Sequence, residues 1–317
     1  MLDSSAEATQ RLSVKQLRII AAIEDRGSIR EAAESLNITQ PTATKALKEA
    51  ERILGVDLFT RTNRGVVPTP YGTTLSRRAR LVLAELRHAG EEIRDLNEGL
   101  GGRVVVGTLL AASARLLPEA IARLHAVRPK VSVSVVEGTN DLLIPALRHG
   151  ELDLVVGRLP VFRGREGVEQ EVLYDEATCL VVRPGHPLLS KPDLALSDTL
   201  DSLFIMPPPE TTLRRQLETA FRDAGLVVPT TTVESVSVLT NLRLTRETDA
   251  VSVWPYQVIR GAILEGRVQR LPVKLPAASA PVGVTTRTGA PPSPVATALI
   301  AELRGVAGDI RSEAEDE

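Results

Sequence analysis

The sequence predicts a small, mainly helical winged helix-turn-helix ahead of a larger α/β unit of two lobes. Three observations carry this expectation. Short capped amphipathic segments joined by tight turns fill residues 12–72. An apolar repeat averaging 3.5 residues then runs along residues 75–100. From 103 to 311, β-branched runs alternate with helical segments, as in a mostly parallel sheet with both faces covered.

In the first segment, "SVKQLRIIAAIEDRG" sets Val14, Leu17, Ile20, Ala21 and Ile23 at helical spacing, with Ser13 as N-cap and Gly27 as stop. "SIREAAESLN" follows, with Ser28 and Glu31 at capping-box spacing and a small-residue face of Ala32, Ala33 and Leu36. After the turn "NI", Thr39 caps a third helix and Pro41 falls in its first turn, where a missing N–H costs nothing. Ala43, Ala46, Leu47, Ala50 and Leu54 form its buried stripe. Gln40, Thr42, Thr44, Lys45 and Lys48 are left outward near its front. Threonines are weak helix formers, so their place there asks for another reason. In a helix-turn-helix this front enters the DNA major groove, where short polar side chains reach base edges and lysines reach phosphates or guanine. "LFTRTNRGVVPT" then reads as a hairpin turning at Asn63-Arg64-Gly65, with Arg61 and Arg64 at its tip facing DNA.

The next stretch spaces Leu75, Ala79, Val82, Leu86, Ala89, Ile93, Leu96 and Leu100 by alternating fours and threes. That is a heptad seam, and its narrowness suits a partner helix, so a homodimer is expected through residues 75–100. "GLGG" ends the helix as a hinge, which makes 73–102 a linker.

Charge divides the chain. Residues 11–80 carry 13 Lys/Arg against 7 Asp/Glu, while the whole 317-residue chain sums to −2. A basic head on an acidic remainder fits a polyanionic partner, and it also fits an ordinary solvated surface. The polar start lacks a signal peptide's apolar core, no run is long enough to span a membrane, and Cys179 is the single cysteine. A cytoplasmic protein without disulfides is expected. Four scattered histidines and one cysteine argue against a metal site, and no cofactor is expected.

Beyond residue 103, "RVVVGT", "VSVSVVEG" and "LDLVVGR" read as strands, separated by the helices "SARLLPEAIARLHAVRP" and "NDLLIPALRHG". Ligands in such sheets sit beyond strand carboxyl ends, near helix N-termini. Loops 108–113, 137–140 and 157–160 gather Ser113, Thr139 and Arg158 there. Crossing strands near 161–169 and 265–270 divide lobe I (103–161 and 268–311) from lobe II (162–267), with a cleft between them. The acidic tail, 312–317, is expected to be disordered. Arg158 suits a carboxylate ligand or an interlobe salt bridge. Trp254 suits core packing or a cleft wall, and Cys179 suits buried packing over redox sensing.

Residues 17–72, through "GSIREAAESLNITQPT", "LKEAERILGVDLF", "RTNRG" and "PTPYG" in order, resemble the DNA-binding domain of LysR-type transcriptional regulators. "RLLPEAIARL", "ELDLVVGR" and "PGHPL" resemble the same family's effector domain, of periplasmic-binding-protein-like fold. The resemblance implies contacts to double-stranded DNA from Thr39, Gln40, Pro41, Thr42, Thr44 and Lys45, with Arg61 and Arg64 on the wing. Ser28 and Lys48 are counted with them. It places a small-molecule effector between the lobes, against Thr139, Arg158, the stretch Met206, Pro207 and Pro208, and residues around Ser235; "GRLP" and the apolar loop residues point to a small organic or aromatic acid, and Trp254 is the candidate wall. The family often carries arginine at Lys45 and a hydroxyl at Ala111, so that hydroxyl either comes from Ser113 or is absent. A tetramer and an RNA polymerase contact remain open. An enzyme reading finds no G-x-S-x-G, H-E-x-x-H or phosphate loop. A transport-type solute-binding reading fits the cleft but not the basic head.

Overall fold

The computed structural model describes residues 10–62, 65–98, 101–159, 167–273, 275, 279–289 and 291–316. It divides into two compact units, Met1–Leu100 with Arg148–Glu151, and Gly101–Leu147 with Leu152–Glu317.

In the first unit, α1 (Val14–Arg26), α2 (Ile29–Ser35) and α3 (Gln40–Leu54) precede a hairpin, β1 (Phe59–Thr62) with β2 (Gly65–Pro68), and the long helix α4 (Pro70–Glu98). Ser13 and Gln16 cap α1 reciprocally, the side chain of each serving the backbone N–H of the other. Gly27 ends α1 in the left-handed conformation, at φ 62°. Ile19, Ile20 and Ile23 of α1 meet Ala32, Ala33, Ala43, Leu47 and Ala50 in one core. The alanines let α2 and α3 cross closely. Glu51 Oε1 accepts from Leu58 N at 2.9 Å, and Val66 N donates to Gly27 O at 2.9 Å, so the wing is fastened to both ends of the motif.

The heptad seam on α4 behaves in two ways. Leu75 and Ala79 pack inside the unit, while Val82, Leu86, Ala89 and Ile93 are exposed. Leu96 and Leu100 lie outside the residues whose side chains are described. Arg80 pairs with Glu24 at 2.9 Å and with Asp25, pinning the first turns of α4 to the end of α1. The helix therefore starts as part of the head and has no break at residue 73.

The second unit follows the alternation expected: β3 (Arg103–Thr108), α5 (Leu110–Ser113), α6 (Leu116–Val127), β4 (Ser132–Glu137), α7 (Asn140–Arg148) and β5 (Leu154–Arg158). Then come β6 (Val168–Val182), β7 (Phe204–Met206), α8 (Thr212–Asp223), β8 (Thr232–Glu234), α9 (Val238–Glu247), β9 (Val251–Pro255) and α10 (Tyr256–Leu264). β10 (Gln269–Arg270), β11 (Ser279–Arg287) and α11 (Pro294–Asp316) complete it. The outer strands pair in parallel, β3 with β4 and β5, and β7 with β8 and β9. β6, which passes from the first lobe to the second, runs antiparallel to β11, with which the chain re-enters the first lobe's sheet.

Three expectations need correction. The outward crossing is one 15-residue strand, β6, whose first half pairs with β11 and whose second half pairs with β9 and β10. Residues 168–176 thus belong to the first lobe's sheet and Gln269–Arg270 to the second's. The loop at 108–113 is wound into α5, and Ser113 Oγ donates to Leu110 O at 3.0 Å. The acidic tail continues α11 through Asp316, because Glu313 meets Arg115 at 2.6 Å and Arg260 at 3.3 Å.

Gly72 tests the anchoring of the wing. A Cβ there would run into the Leu58 carbonyl and lie 3.4 Å from Pro68 Cβ. Gly72→Ala is expected to destabilise by about 1–3 kcal/mol, the usual cost of overpacking. A denaturant melt unchanged from the parent would show that this approach is not close in solution.

Candidate nucleic-acid interface and ligand cleft

On α3, Gln40, Pro41, Thr44, Lys45 and Lys48 line one shallow hollow together with Glu49 and Arg52. The placement follows from the stripe Ala43, Leu47 and Ala50, which buries the opposite face. Gln40, Lys45 and Lys48 are exposed, and Thr44 is half-buried. Thr39 stands at the N-cap, yet its hydroxyl meets that of Thr42 at 2.8 Å and makes no cap bond. The two threonines therefore hold each other at the front of the helix. Glu49 and Arg52 were not foreseen from the sequence. Three residues apart, they pair at 2.6 Å, and the guanidinium draws the Glu49 carboxyl below its ordinary range. Ser28 does not line the hollow: its Oγ accepts from Glu31 N at 3.4 Å as the cap of α2. Arg61 is exposed on β1, and Arg64 lies outside the described residues.

The second unit holds a cavity of about 620 Å³ between its lobes. Of the expected residues, Ala111, Thr139, Arg158, Pro207, Ser235 and Trp254 line it. Three do not. Ser113 turns back to its own helix, Met206 is fully buried in the second lobe's core, and Pro208 is not on the wall. Asn140, Glu210, Thr211, Ser237 and Asn241 line it as well. Most of these mark helix starts, a signal that "GTNDLL" and "PETTLRR" already carried in their capping residues.

Three helix starts meet at this cavity. Asn140 begins α7, Thr211 and Ser237 cap α8 and α9, and all line the wall. First-turn N–H groups lack intrahelical partners, and the helix dipole adds partial positive charge, so these ends favour an anion.

Arg158, ending β5, is 3% exposed. Its Nη2 donates to Thr178 Oγ1 at 2.8 Å and to Glu176 O at 3.5 Å, and its Nη1 donates to Gln216. The guanidinium ties the first lobe to the second, and its Nε is buried without a hydrogen-bond partner. Burial lowers its pKa to about 10, with the charge of Glu176 opposing. Burial likewise raises Glu176, on the crossing strand, to about 7, while the N–H of Gln257 at 2.8 Å and the Arg158 charge pull it back.

Trp254 is a core residue with one edge on the cavity; its Nε1 donates to Ser252 Oγ at 2.7 Å. Cys179 is packed behind it, its thiol pushed up to about 12 by burial. Such a thiol holds its proton at neutral pH, in keeping with a packing role. Among the described residues, no cluster of metal-ligating side chains is found and no helix is long and apolar enough to cross a membrane.

Residues 14–73 match the family profile described as "Bacterial regulatory helix-turn-helix protein, lysR family", and residues 97–308 match "LysR substrate binding domain". The chain belongs to the LysR family. It is a ligand-responsive transcriptional regulator of that type. It is 33% identical to the HTH-type transcriptional regulator GbpR of Azospirillum brasilense, over 93% of this chain and 86% of that one. It is also 33% identical to the regulator PcaQ of Agrobacterium fabrum, over 95% and 97%. A full-length OxyR from Pseudomonas aeruginosa, carrying one substitution, superposes with a TM-score of 0.68 at 26% identity, covering 93% of this chain and 95% of that one. CbnR, at 21% identity and a TM-score of 0.62, shares the fold over 93% of this chain and 99% of that one.

Glu176 gives this LysR-type chain a pH signature. Its folded-state value, about 7, lies above the ordinary 4.5, so the folded chain keeps a proton that the unfolded chain releases. The associated stability, about 3 kcal/mol, is complete below the unfolded value and is lost as pH rises through the folded one. Glu176→Gln is expected to flatten thermal stability between about pH 5 and pH 8. A variant whose melting temperatures track the parent's across that range would remove Glu176 as the source.

Proposed function

We propose that this regulator reads DNA as a homodimer through the front of α3 and responds to a small organic acid held in the cleft. The convergence of three helix starts and the buried Arg158 on one cavity is the observation that carries the ligand reading. Gln40, Thr44, Lys45 and Lys48 are the base- and phosphate-reaching set, with Arg61 supporting from the wing. The open stretch of the α4 seam, Val82 to Ile93, supports pairing with a second copy, which would set two α3 helices on successive major grooves. The protein works by binding and closure of its lobes rather than by turnover, in the cytoplasm.

Gln40→Ala and Thr44→Ala are each expected to weaken binding to the chain's own upstream DNA by about 1–3 kcal/mol while leaving binding to unrelated DNA unchanged. Fluorescence anisotropy at fixed salt measures both. Equal affinity of parent and variant for the cognate site would take that residue out of the reading set.

A further inference from the structure

We propose that the effector is a hydroxylated carboxylic acid, its anionic head at the helix starts and its hydroxyls donating to the side-chain oxygens of Asn140 and Asn241. This rests on the acid-binding cleft proposed above and adds the chemistry of the rest of the ligand.

Many polar groups on the wall are already satisfied by the protein, and the few that are not define what a ligand must bring. Arg158 is the one cation among the described lining residues, and both its Nη atoms are engaged by the protein. Its Nε, buried and without a partner, and the second N–H of Nη1 remain to reinforce the donors at the N-termini of α7, α8 and α9. The acceptors are equally definite. Asn140 Nδ2 donates to Arg158 O at 3.3 Å, and Asn241 Nδ2 donates to Ser235 O at 3.2 Å. Those bonds fix the orientation of each amide and leave each Oδ1 buried without a partner.

An unmet buried acceptor calls for a donor. A simple carboxylate supplies none, whereas hydroxyl groups do. Glu137 and Glu210, also on the wall, oppose a second carboxylate and favour neutral hydroxyls in its place. Asn140 stands on α7 of the first lobe and Asn241 on α9 of the second. A ligand with hydroxyls on both sides of its body therefore bonds both lobes at once and holds them closed. That assigns the two asparagines a specificity role that no hydroxyl-free acid would use.

Matched probes test it on the full chain by calorimetry and thermal shift: hexanoate against gluconate, and benzoate against 3,5-dihydroxybenzoate. Sorbitol and resorcinol serve as uncharged controls. In at least one pair the hydroxylated acid is expected to bind about ten-fold or more tighter than its parent acid. Asn241→Leu should abolish that advantage without weakening the parent acid. Asn140→Ala provides the same reading should the first variant melt early. Equal affinities within both pairs would overturn the hydroxyl assignment while leaving the acid cleft standing. Uncharged controls binding as tightly as the acids, or no binding by any probe, would overturn the acid cleft and this inference with it.

Discussion

A guanidinium held out of water sets the geometry of the larger unit. Arg158 ends a strand of the first lobe, yet its hydrogen bonds go to Thr178 and Gln216 of the second and to the backbone of Glu176 between them. Burying such a charge is costly unless its donors are satisfied, so the position of one lobe relative to the other is constrained by this side chain. The same residue lines the cavity, which places the constraint where a ligand would act. Glu176 sits beside it on the strand shared by both sheets and accepts from Gln257 at the start of α10. Lobe closure, the crossing strand and the cavity wall thus meet in one small cluster.

The DNA-facing unit solves a different problem, which is to expose poor helix formers without losing the helix. Ala32, Ala33, Ala43 and Ala50 permit a close crossing, and Glu51 fastens the wing. Packing therefore holds α3, and its front need not contribute helix propensity. Thr39 and Thr42 bond each other instead of the helix backbone, beside the exposed Gln40 at the leading edge.

Much of this is legible in the sequence. Helix starts and stops in the head follow local chemistry within a few residues, as at Ser13, Gly27 and Pro41, and the structure agrees at each. The seam on α4 is visible by its spacing, but spacing alone does not distinguish Leu75 and Ala79, which pack at home, from Leu86 and Ile93, which stay exposed. Long-range geometry is harder to read. Ser113 and Met206 have suitable sequence positions, yet one is turned inward by a single helical turn and the other lies in the core. Arg158 lines the cleft as its strand end suggests, but its partners are 18 to 58 residues away in sequence, so its ties to the second lobe cannot be read locally. The tail looks disordered by composition and is helical for the same reason: Arg115, the partner of Glu313, lies 198 residues upstream.

Two α3 fronts held apart by the α4 seam would read DNA as a pair. Hydroxyl-radical footprinting of the parent and of Leu86→Asp on the chain's own upstream DNA tests it most directly. The parent should protect two patches on one face of the duplex, about one helical turn apart, and the variant should lose the paired pattern. A single protected patch for the parent, or an unchanged pair for the variant, would show that the α4 seam does not set two α3 fronts on the DNA.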